Sequence, residues 1–302
     1  MEQSSHKKTK SGFVAIVGLP NVGKSTLVNR LSQTNLSIVT PKAQTTRNTI
    51  SVILTLPDAQ IIFQDTPGYH EATTALNQAF VESVSRTINL TDIILFVMDG
   101  TRKKSRELDQ IEQLVRSSGK PTILAVNKTD TMEQSIAELL ISGLAQSGTY
   151  QAVLGISAIT GQNCDLLLEK LVDILPEGPF LYESDDLSDM PERFFATELI
   201  REQILNLLGQ EVPHKTAVAI ETFKEMENRV LIQANIHVER DSQKKILIGR
   251  NGAMIKNIGT LARQKIQEFL DVPVRLELFV KVSPNWTKSI TKLKEFGYLD
   301  SK

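Results

Sequence analysis

Residues 13–31 constrain the fold more than any other segment, because an apolar strand runs directly into a glycine-rich turn and then into a helix. The turn GLPNVGKS, from Gly18 to Ser25, fits the pattern G-x-x-x-x-G-K-[ST]. In such a turn the backbone N–H groups face an anion at the start of a helix, where the helix dipole also favours negative charge. We expect Lys24 to neutralise the outer phosphates of a nucleotide and Ser25 to bind magnesium. The residues expected to contact the nucleotide here are Gly18, Asn21, Val22, Gly23, Lys24, Ser25 and Thr26.

Near-continuous apolar runs of strand length alternate with segments of helical length in the first part of the chain. Strands are expected at 13–17, 61–63, 93–98, 122–126 and 152–156. Helices are expected at 24–31, 79–90, 105–117, 134–145 and 164–175. This alternation is typical of an α/β P-loop NTPase domain, with a mostly parallel sheet covered by helices. A further strand at 49–56, followed by the short loop PDA, predicts an antiparallel edge strand.

Composition and charge divide the chain into two parts. A length of 302 residues fits two domains, and a segment rich in proline and acidic residues, PEGPFLYESDDLSDMPER, breaks the pattern after the last helix. We therefore predict a nucleotide-binding P-loop domain at 1–176, a linker at 177–190 and a second domain at 191–302. Residues 214–302 carry 16 Lys and Arg against 10 Asp and Glu, a net charge of +6, whereas residues 1–213 carry 18 against 25, a net charge of −7. The basic second part indicates a polyanionic partner.

Cysteine and histidine usage argues against two classes of protein. The single cysteine, Cys164, excludes an internal disulfide framework, and the four histidines lack the spacing of zinc ligands. A reducing, cytoplasmic setting is therefore expected. No apolar run approaches the roughly 18 residues that span a bilayer.

Three further positions are expected beside the phosphates. Asp65 ends the apolar strand IIFQD, where it can hold magnesium through water, and Gly68 follows with a backbone N–H for a γ-phosphate. A threonine from the loop after the first helix is expected to bind both magnesium and the γ-phosphate. We choose Thr46 from the stretch KAQTTRN, with Thr45 as the alternative. Lys24, Thr46 and Gly68, together with Asn21, are the residues expected to assist hydrolysis.

Two later loops narrow the base to guanine. The strand ending ILAVN is followed by N-K-x-D, which consists of Asn127, Lys128 and Asp130. The Asp130 carboxylate can accept hydrogen bonds from the guanine N1–H and exocyclic amine, a donor pair that adenine lacks. Ser157 and Ala158 follow the next strand, where a backbone N–H can reach the guanine O6. Because these loops follow successive strands, their motifs meet at the carboxyl edge of the sheet, where open α/β sheets bind ligands.

The basic part of the chain predicts a small α+β domain. Its elements are expected as a helix at 191–208, strands at 216–223 and 229–238, helices at 243–248 and 253–270, and a strand at 274–282. The motif G-x-x-G at 249–252 lies between the two later helices, an order typical of a type II KH domain, which clamps single-stranded nucleic acid. An apolar face of the long helix, formed by Ile255, Ile258, Ala262, Ile266 and Phe269, is expected to pack on the strands. The residues expected to bind RNA are Lys244, Lys245, Ile248, Gly249, Arg250, Asn251, Gly252, Lys256 and Arg263.

A GTPase domain followed by a KH domain resembles the Era family of bacterial GTPases, over nearly the whole chain. The resemblance is carried by the stretches PNVGKSTL, KAQTTR, DTPGYH, PEGP, PERF, EVPH and ERDSQKKILIGRNGAMIKNIGTLAR. It implies GTP hydrolysis with Mg²⁺, binding of single-stranded RNA near the 3′ end of the small-subunit ribosomal RNA, and a nucleotide-gated role in small-subunit assembly. It also implies peripheral association with the inner membrane, and we expect a monomer. Trp286 is left between stacking on RNA and packing, with packing favoured.

The residue after D-x-x-G predicts how the γ-phosphate is attacked. Many GTPases orient the attacking water with a glutamine there, but this chain has Tyr69, so slow intrinsic turnover is expected. GTPases that have an apolar residue at this position and an asparagine in the phosphate loop resemble one another in using a potassium ion. Asn21 occupies that loop position, so potassium activation is a further hypothesis.

Overall fold

The computed structural model describes residues 9–40, 42, 45–69, 74–209 and 211–299. The chain divides into two compact units. The first comprises residues 1–37, 46–71 and 80–189, and the second comprises 38–45, 72–79 and 190–302. Ala43, Gln44 and His70, which contribute to the family resemblance, lie outside the described residues.

The first unit is built on a six-stranded sheet in the order β2-β3-β1-β4-β5-β6. Its strands are β1 (Lys10–Val17), β2 (Ile50–Thr55), β3 (Ala59–Asp65), β4 (Ile93–Asp99), β5 (Thr122–Asn127) and β6 (Ala152–Gly155). Its helices are α1 (Lys24–Ser32), α2 (Ala75–Leu90), α3 (Arg106–Ser117), α4 (Gln134–Gln146) and α5 (Cys164–Ile174). All strand pairs are parallel except β2 with β3. The predicted α/β class and the antiparallel edge strand are confirmed.

The central strands β1, β4 and β5 are almost wholly buried, because sheet neighbours and helices cover them. This burial explains why their sequences are apolar without alternation. The α2 helix begins at Ala75, four residues before the predicted start, so the prediction missed its first turn. The apolar periodicity does extend into this turn, since Leu76 lies three and four residues before Ala79 and Phe80 and all three are buried, so the prediction placed the start of the helix too late.

The second unit is an α+β domain with a three-stranded sheet in the order β7-β8-β9. Its elements are α6 (Glu192–Leu207), β7 (Thr216–Met226), β8 (Arg229–Val238), α7 (Asp241–Ile248), α8 (Ala253–Leu270), β9 (Val274–Val282) and α9 (Ile290–Glu295). The β7 and β8 strands are antiparallel, whereas β8 and β9 are parallel. The helix–strand–strand–helix–turn–helix–strand order of a type II KH domain is confirmed.

The core of this unit buries one face of α8 as expected, with one difference at its end. Ile258, Ala262 and Ile266 are fully buried. Phe269, predicted to pack on the strands, instead lies against Phe195 with ring centroids 5.0 Å apart, and more than a third of it is exposed. The reason is that α6 packs along α8 and supplies the partner at this end of the helix.

Trp286 is a packing residue. It is fully buried, its indole N–H donates to the Lys215 carbonyl at 3.0 Å, and its ring packs against Phe296 and Tyr298. The predicted preference for packing over RNA stacking agrees with this burial, because a ring without exposed surface cannot stack on a base.

Residues 177–190, predicted as a linker, run along the first unit with specific contacts. The Gln60 side chain accepts hydrogen bonds from the Leu181 and Tyr182 backbone N–H groups, and the Ile53 N–H donates to the Leu187 carbonyl. The Leu187 contact satisfies a backbone donor of the edge strand β2. Edge strands otherwise leave such groups open to unwanted pairing.

Candidate nucleotide and RNA sites

The phosphate loop follows β1, and its last two residues, Lys24 and Ser25, are the first two of α1. Gly23 has a left-handed φ of 98°, and a Cβ atom there would lie 2.3 Å from Asn127 Nδ2, so only glycine fits. The Lys24 ammonium donates to the carbonyls of Gly18 and Leu19, each at 3.2 Å. Burial lowers the pKa of Lys24 to about 8, an effect that Asp65 opposes and Arg102 reinforces.

Three oxygen groups meet beside this loop. The Ser25 hydroxyl donates to Asp65 Oδ2 at 2.7 Å and lies 2.9 Å from the Thr46 hydroxyl. Thr45 points elsewhere, since its hydroxyl bonds to Thr40 and to the Lys42 carbonyl. Of the two threonines that the sequence left open, Thr46 is therefore the one that the structure brings to Ser25 and Asp65.

The chemistry of this cluster fits a hard cation. Asp65 is fully buried, and among the described residues its Oδ1 has no hydrogen-bond partner. Burial raises its pKa, against the opposing effects of Lys24, Ser25 and Ser37. A divalent ion with oxygen ligands would relieve this cost by favouring the charged carboxylate. Ser25, Thr46 and Asp65 would hold Mg²⁺, which neutralises charge on the phosphate oxygens when it is bound.

The N-K-x-D loop is tied to its neighbours by side chains. Asn127 donates to the Val22 carbonyl at 2.7 Å and accepts from the Ala158 N–H at 2.9 Å. One buried side-chain amide therefore joins the phosphate loop to the loop that contains Ser157 and Ala158. Ser157 is fully buried, and its hydroxyl accepts from the Thr160 N–H at 3.1 Å. Asp130 is exposed to solvent, so its carboxylate is accessible to a guanine base.

Asp99 is a site residue that sequence reasoning missed. Its carboxylate pairs with the Lys128 ammonium at 2.7 Å and also accepts from the Thr101 N–H and hydroxyl. Burial alone would raise the pKa of Asp99, but the hydrogen bonds from Lys128 and Thr101 lower it overall. Asp99 ends β4, and this position at the carboxyl edge of a parallel sheet was the signal that could have identified it.

Two arginines also brace these loops and were not predicted. Arg102 donates to the Pro20 carbonyl at 2.9 Å, and Arg30 donates to the Ile159 carbonyl at 2.5 Å. The first contact supports the phosphate loop and the second supports the loop after β6. Neither arginine lies in a motif, so only the fold could identify them.

The D-x-x-G segment lies close against the phosphate loop. A Cβ atom at Gly68 would lie 2.8 Å from Pro20 Cα, which explains the need for glycine. The next residue, Tyr69, donates its N–H to the Gly18 carbonyl at 3.1 Å and packs its side chain against the hydrophobic core of the sheet. Asn21 is exposed and has a left-handed φ of 61°.

In the second unit, the G-x-x-G turn joins α7 to α8 through left-handed backbone. Gly249, Asn251 and Gly252 have φ values of 73°, 52° and 78°. A Cβ atom at Gly249 would lie 2.7 Å from Met254 Cβ, whereas one at Gly252 would meet nothing within 4 Å. The open space at Gly252 leaves room for the close approach of a ligand backbone.

Four cationic side chains lie around this turn. Lys245, Arg250 and Lys256 are exposed and Lys244 is half-buried, and in the described part of the chain none of these four side chains makes an ion pair. Arg263 differs, because it is half-buried and donates to Gln267 at 2.6 Å. Ile248 is half-buried at the end of α7. The turn thus presents a positive surface, with Arg263 committed to a neighbour on its own helix.

Comparisons with known proteins match both units. A family model described as a 50S ribosome-binding GTPase matches residues 13–128, and a KH domain model matches residues 211–287. GTPase Era of Geobacter sp. strain M21 is 44% identical over 295 residues, which cover 97% of this chain and 99% of that protein. GTPase Era of Nostoc sp. strain PCC 7120 is 45% identical over 290 residues, which cover 96% and 90% of the two chains.

Solved structures of Era superpose along nearly the whole chain. A crystal structure of Era in complex with MgGDPNP and nucleotides 1506–1542 of 16S ribosomal RNA has a TM-score of 0.93 at 38% identity, and the match covers 96% of this chain and 99% of that one. A variant of Aquifex aeolicus Era bound to GDP and AlF4⁻ has a TM-score of 0.92 at 38% identity, with the same coverage. The sequence identity over almost the full length, together with the two matched domains, shows that the chain belongs to the Era family of GTPases.

Proposed function

We propose that this GTPase binds single-stranded RNA of the small ribosomal subunit through the G-x-x-G turn, and that GTP gates this binding during subunit assembly. One observation carries the RNA assignment: Lys244, Lys245, Arg250 and Lys256 surround a glycine turn and have no acidic partner within the described residues. Unpaired cations beside a turn that admits a sugar–phosphate backbone are what a KH-type surface needs. A related Era bound to the 16S ribosomal RNA fragment supports the same target.

The contacts of Lys42, Thr45 and Thr46 support the gating. Residues 38–45 group with the second unit, in which Arg201 of α6 donates to the Thr45 carbonyl and Lys42 donates to the Leu205 and Leu208 carbonyls. The next residue, Thr46, contacts Ser25 in the first unit. A γ-phosphate and magnesium that hold Thr46 would therefore act on a segment anchored to the RNA-binding unit, which is a two-state element of the kind that GTPases use.

The test is the affinity of the full chain for a short single-stranded RNA from the 3′ end of small-subunit rRNA. Binding is measured with GDP and then with a non-hydrolysable GTP analogue. We expect tighter binding with the analogue, and the ratio gives the coupling free energy between the two sites. Equal binding would show that the RNA surface is a constitutive tether, whereas no binding in either state would remove the RNA target.

The large subunit is a second candidate target, because the family model that matches residues 13–128 is described as a 50S ribosome-binding GTPase. We favour the small subunit, since the related complex that covers both units of this chain contains 16S RNA. Co-sedimentation of the GTP-bound chain with purified small and large subunits separates the two. The proposal requires binding to the small subunit with little binding to the large one.

We also propose that potassium assists hydrolysis, with Asn21 as one of its ligands. Tyr69 packs on the core and cannot orient water as a glutamine does, so the site needs another positive group for the transition state. Turnover is expected to be faster in potassium than in sodium at equal ionic strength, and Asn21→Ala is expected to remove the difference. Equal turnover of the unaltered protein in both salts would contradict the proposal.

We further propose a cytoplasmic location, peripheral association with the inner membrane and a monomeric state. None of the described helices is long and apolar enough to cross a membrane. Co-sedimentation with vesicles that contain anionic lipid tests the peripheral association, and light scattering tests the monomer.

A further inference from the structure

Ser37 is a buried serine that no motif includes, and it lies between α1 and β2. Only 2% of it is exposed, and among the described residues its hydroxyl has no hydrogen-bond partner. A buried hydroxyl without a partner destabilises the fold, because it loses its hydrogen bonds to water and gains none from the protein. Such a group in a native fold calls for an explanation, for example a partner that is present only in another state.

The backbone of Ser37 is clamped by a single side chain of α1. The Asn29 side-chain amide donates from Nδ2 to the Ser37 backbone carbonyl at 2.7 Å, and the Ser37 N–H donates to Asn29 Oδ1 at 3.0 Å. Asn29 is four residues after Ser25, so the two share one face of the helix. The clamp therefore ties Ser37 to a side chain that lies one helical turn from Ser25, the serine that donates to Asp65.

The Ser37 hydroxyl and the Asp65 carboxylate form a complementary pair. Asp65 Oδ1 is the other buried oxygen of this region without a partner among the described residues. The Ser37 hydroxyl is also among the groups that lower the pKa of Asp65, as a hydroxyl that faces this carboxylate would. One group offers a proton to donate, and the other offers lone pairs to accept it.

We propose that Ser37 is a positioning residue for magnesium, and that its hydroxyl orients the Asp65 carboxylate on which the metal site depends. This role rests on the magnesium assignment of Ser25, Thr46 and Asp65. A hydrogen bond from Ser37 to Oδ1 would fix the rotation of the carboxylate, while Oδ2 keeps its contact with Ser25. Groups that orient metal-binding carboxylates typically change metal affinity by 10- to 100-fold when they are removed.

The test measures how fast a fluorescent GDP analogue leaves the full-length protein as a function of Mg²⁺ concentration, so it requires no turnover. Removing the hydroxyl in Ser37→Ala is expected to raise the Mg²⁺ concentration at the midpoint about tenfold. The dissociation rate in EDTA should stay unchanged, because no metal is bound there. Ser32→Ala is the matched control, since Ser32 is another buried serine, on α1, and its hydroxyl donates only to the Val28 carbonyl and exchanges a bond with Thr34.

A second variant changes the position of the Ser37 hydroxyl and leaves the serine itself unaltered. Asn29→Ala removes the clamp and should shift the midpoint in the same direction, and adding Ser37→Ala should then cause little further change, because the two residues act as one unit. This variant keeps the inference testable if Ser37→Ala does not fold.

Ser25→Ala separates the two levels of the assignment. If Ser25→Ala raises the midpoint and Ser37→Ala does not, the role of Ser37 is overturned while the magnesium site stands. The role of Ser37 would also be overturned if Ser37→Ala accelerated release by the same factor in EDTA and in Mg²⁺. Ser37 would then support the nucleotide pocket without acting on the metal. If Ser25→Ala leaves the midpoint unchanged, the magnesium assignment fails and this inference fails with it.

Discussion

At the scale of single residues, Asp99 is expected to control nucleotide affinity through Lys128. Lys128 has a left-handed φ of 68°, which costs a non-glycine residue about 1 kcal/mol, and its ammonium is held by the buried Asp99 carboxylate at 2.7 Å. Asp99→Asn removes the charge-assisted bond, worth roughly 1.5–3 kcal/mol, so GDP binding should weaken at least about tenfold. Calorimetric titration with GDP measures the change. The control is Asp109→Asn, an exposed aspartate of α3; equal effects of the two variants would contradict the prediction.

His237 gives the second unit a pH-dependent stability. Burial is the main cause that lowers its pKa below 6.5; Lys281 and Lys292 lower it further, while Glu295 and Glu221 oppose the shift. The unfolded chain therefore binds a proton before the folded chain does as the pH falls below 6.5. The free energy of unfolding should decrease from that pH downward, by at most about 1.4 kcal/mol per pH unit, and stay constant above it with respect to this group.

Trp286 provides a readout that is confined to this unit, because it is the only tryptophan of the chain. Its buried ring and that of His237 both pack against Phe296. Urea unfolding followed by tryptophan fluorescence should show a shallower loss of stability between pH 7 and about pH 5 for His237→Gln than for the unaltered chain. The same slope in both proteins would show that other groups cause the acid sensitivity.

The residues of the nucleotide site show what a sequence can predict. Lys24, Ser25 and Asp65 lie in motifs whose spacing reports a local backbone shape, so their positions followed from a strand, a turn and a helix. Asp99 and Ser37 act across the sheet on partners 29 and 28 residues away along the chain. Such pairs depend on which strand ends meet and which loop covers a helix. The sequence around an aspartate or a serine does not indicate these tertiary contacts.

At the scale of elements, the turn between α7 and α8 should tolerate a side chain at one glycine and not at the other. Gly249 has φ 73° and ψ 176°, a region that is open essentially to glycine alone, and a Cβ there would lie 2.7 Å from Met254 Cβ. Gly252 has a left-handed φ of 78° with open space around it. Gly249→Ala should therefore destabilise the second unit by about 2–3 kcal/mol, and Gly252→Ala by about 1 kcal/mol.

Urea unfolding followed by Trp286 fluorescence measures both variants, and each serves as the control for the other. If Gly252→Ala destabilised the unit as much as Gly249→Ala, the close contact with Met254 would not explain the first glycine. Element types and order could be predicted because apolar periodicity and breakers are local. The partner of Phe269 could not be predicted, since packing of α6 on α8 is a tertiary contact.

At the scale of the whole molecule, the division of charge predicts how RNA binding depends on salt. The net charge is −7 for residues 1–213 and +6 for residues 214–302, so the basic part attracts RNA while the acidic part repels it. If four cations near the G-x-x-G turn each neutralise one phosphate, the logarithm of the association constant should fall with the logarithm of salt concentration with a slope of about −3.

Lys245→Ala should reduce the size of this slope by about 0.7. Lys103→Ala, at an exposed lysine of the first unit, is the control and should leave the slope unchanged. Filter binding of the full chain to single-stranded RNA at several salt concentrations gives both slopes, and a slope that Lys245→Ala leaves intact would place the phosphate contacts elsewhere.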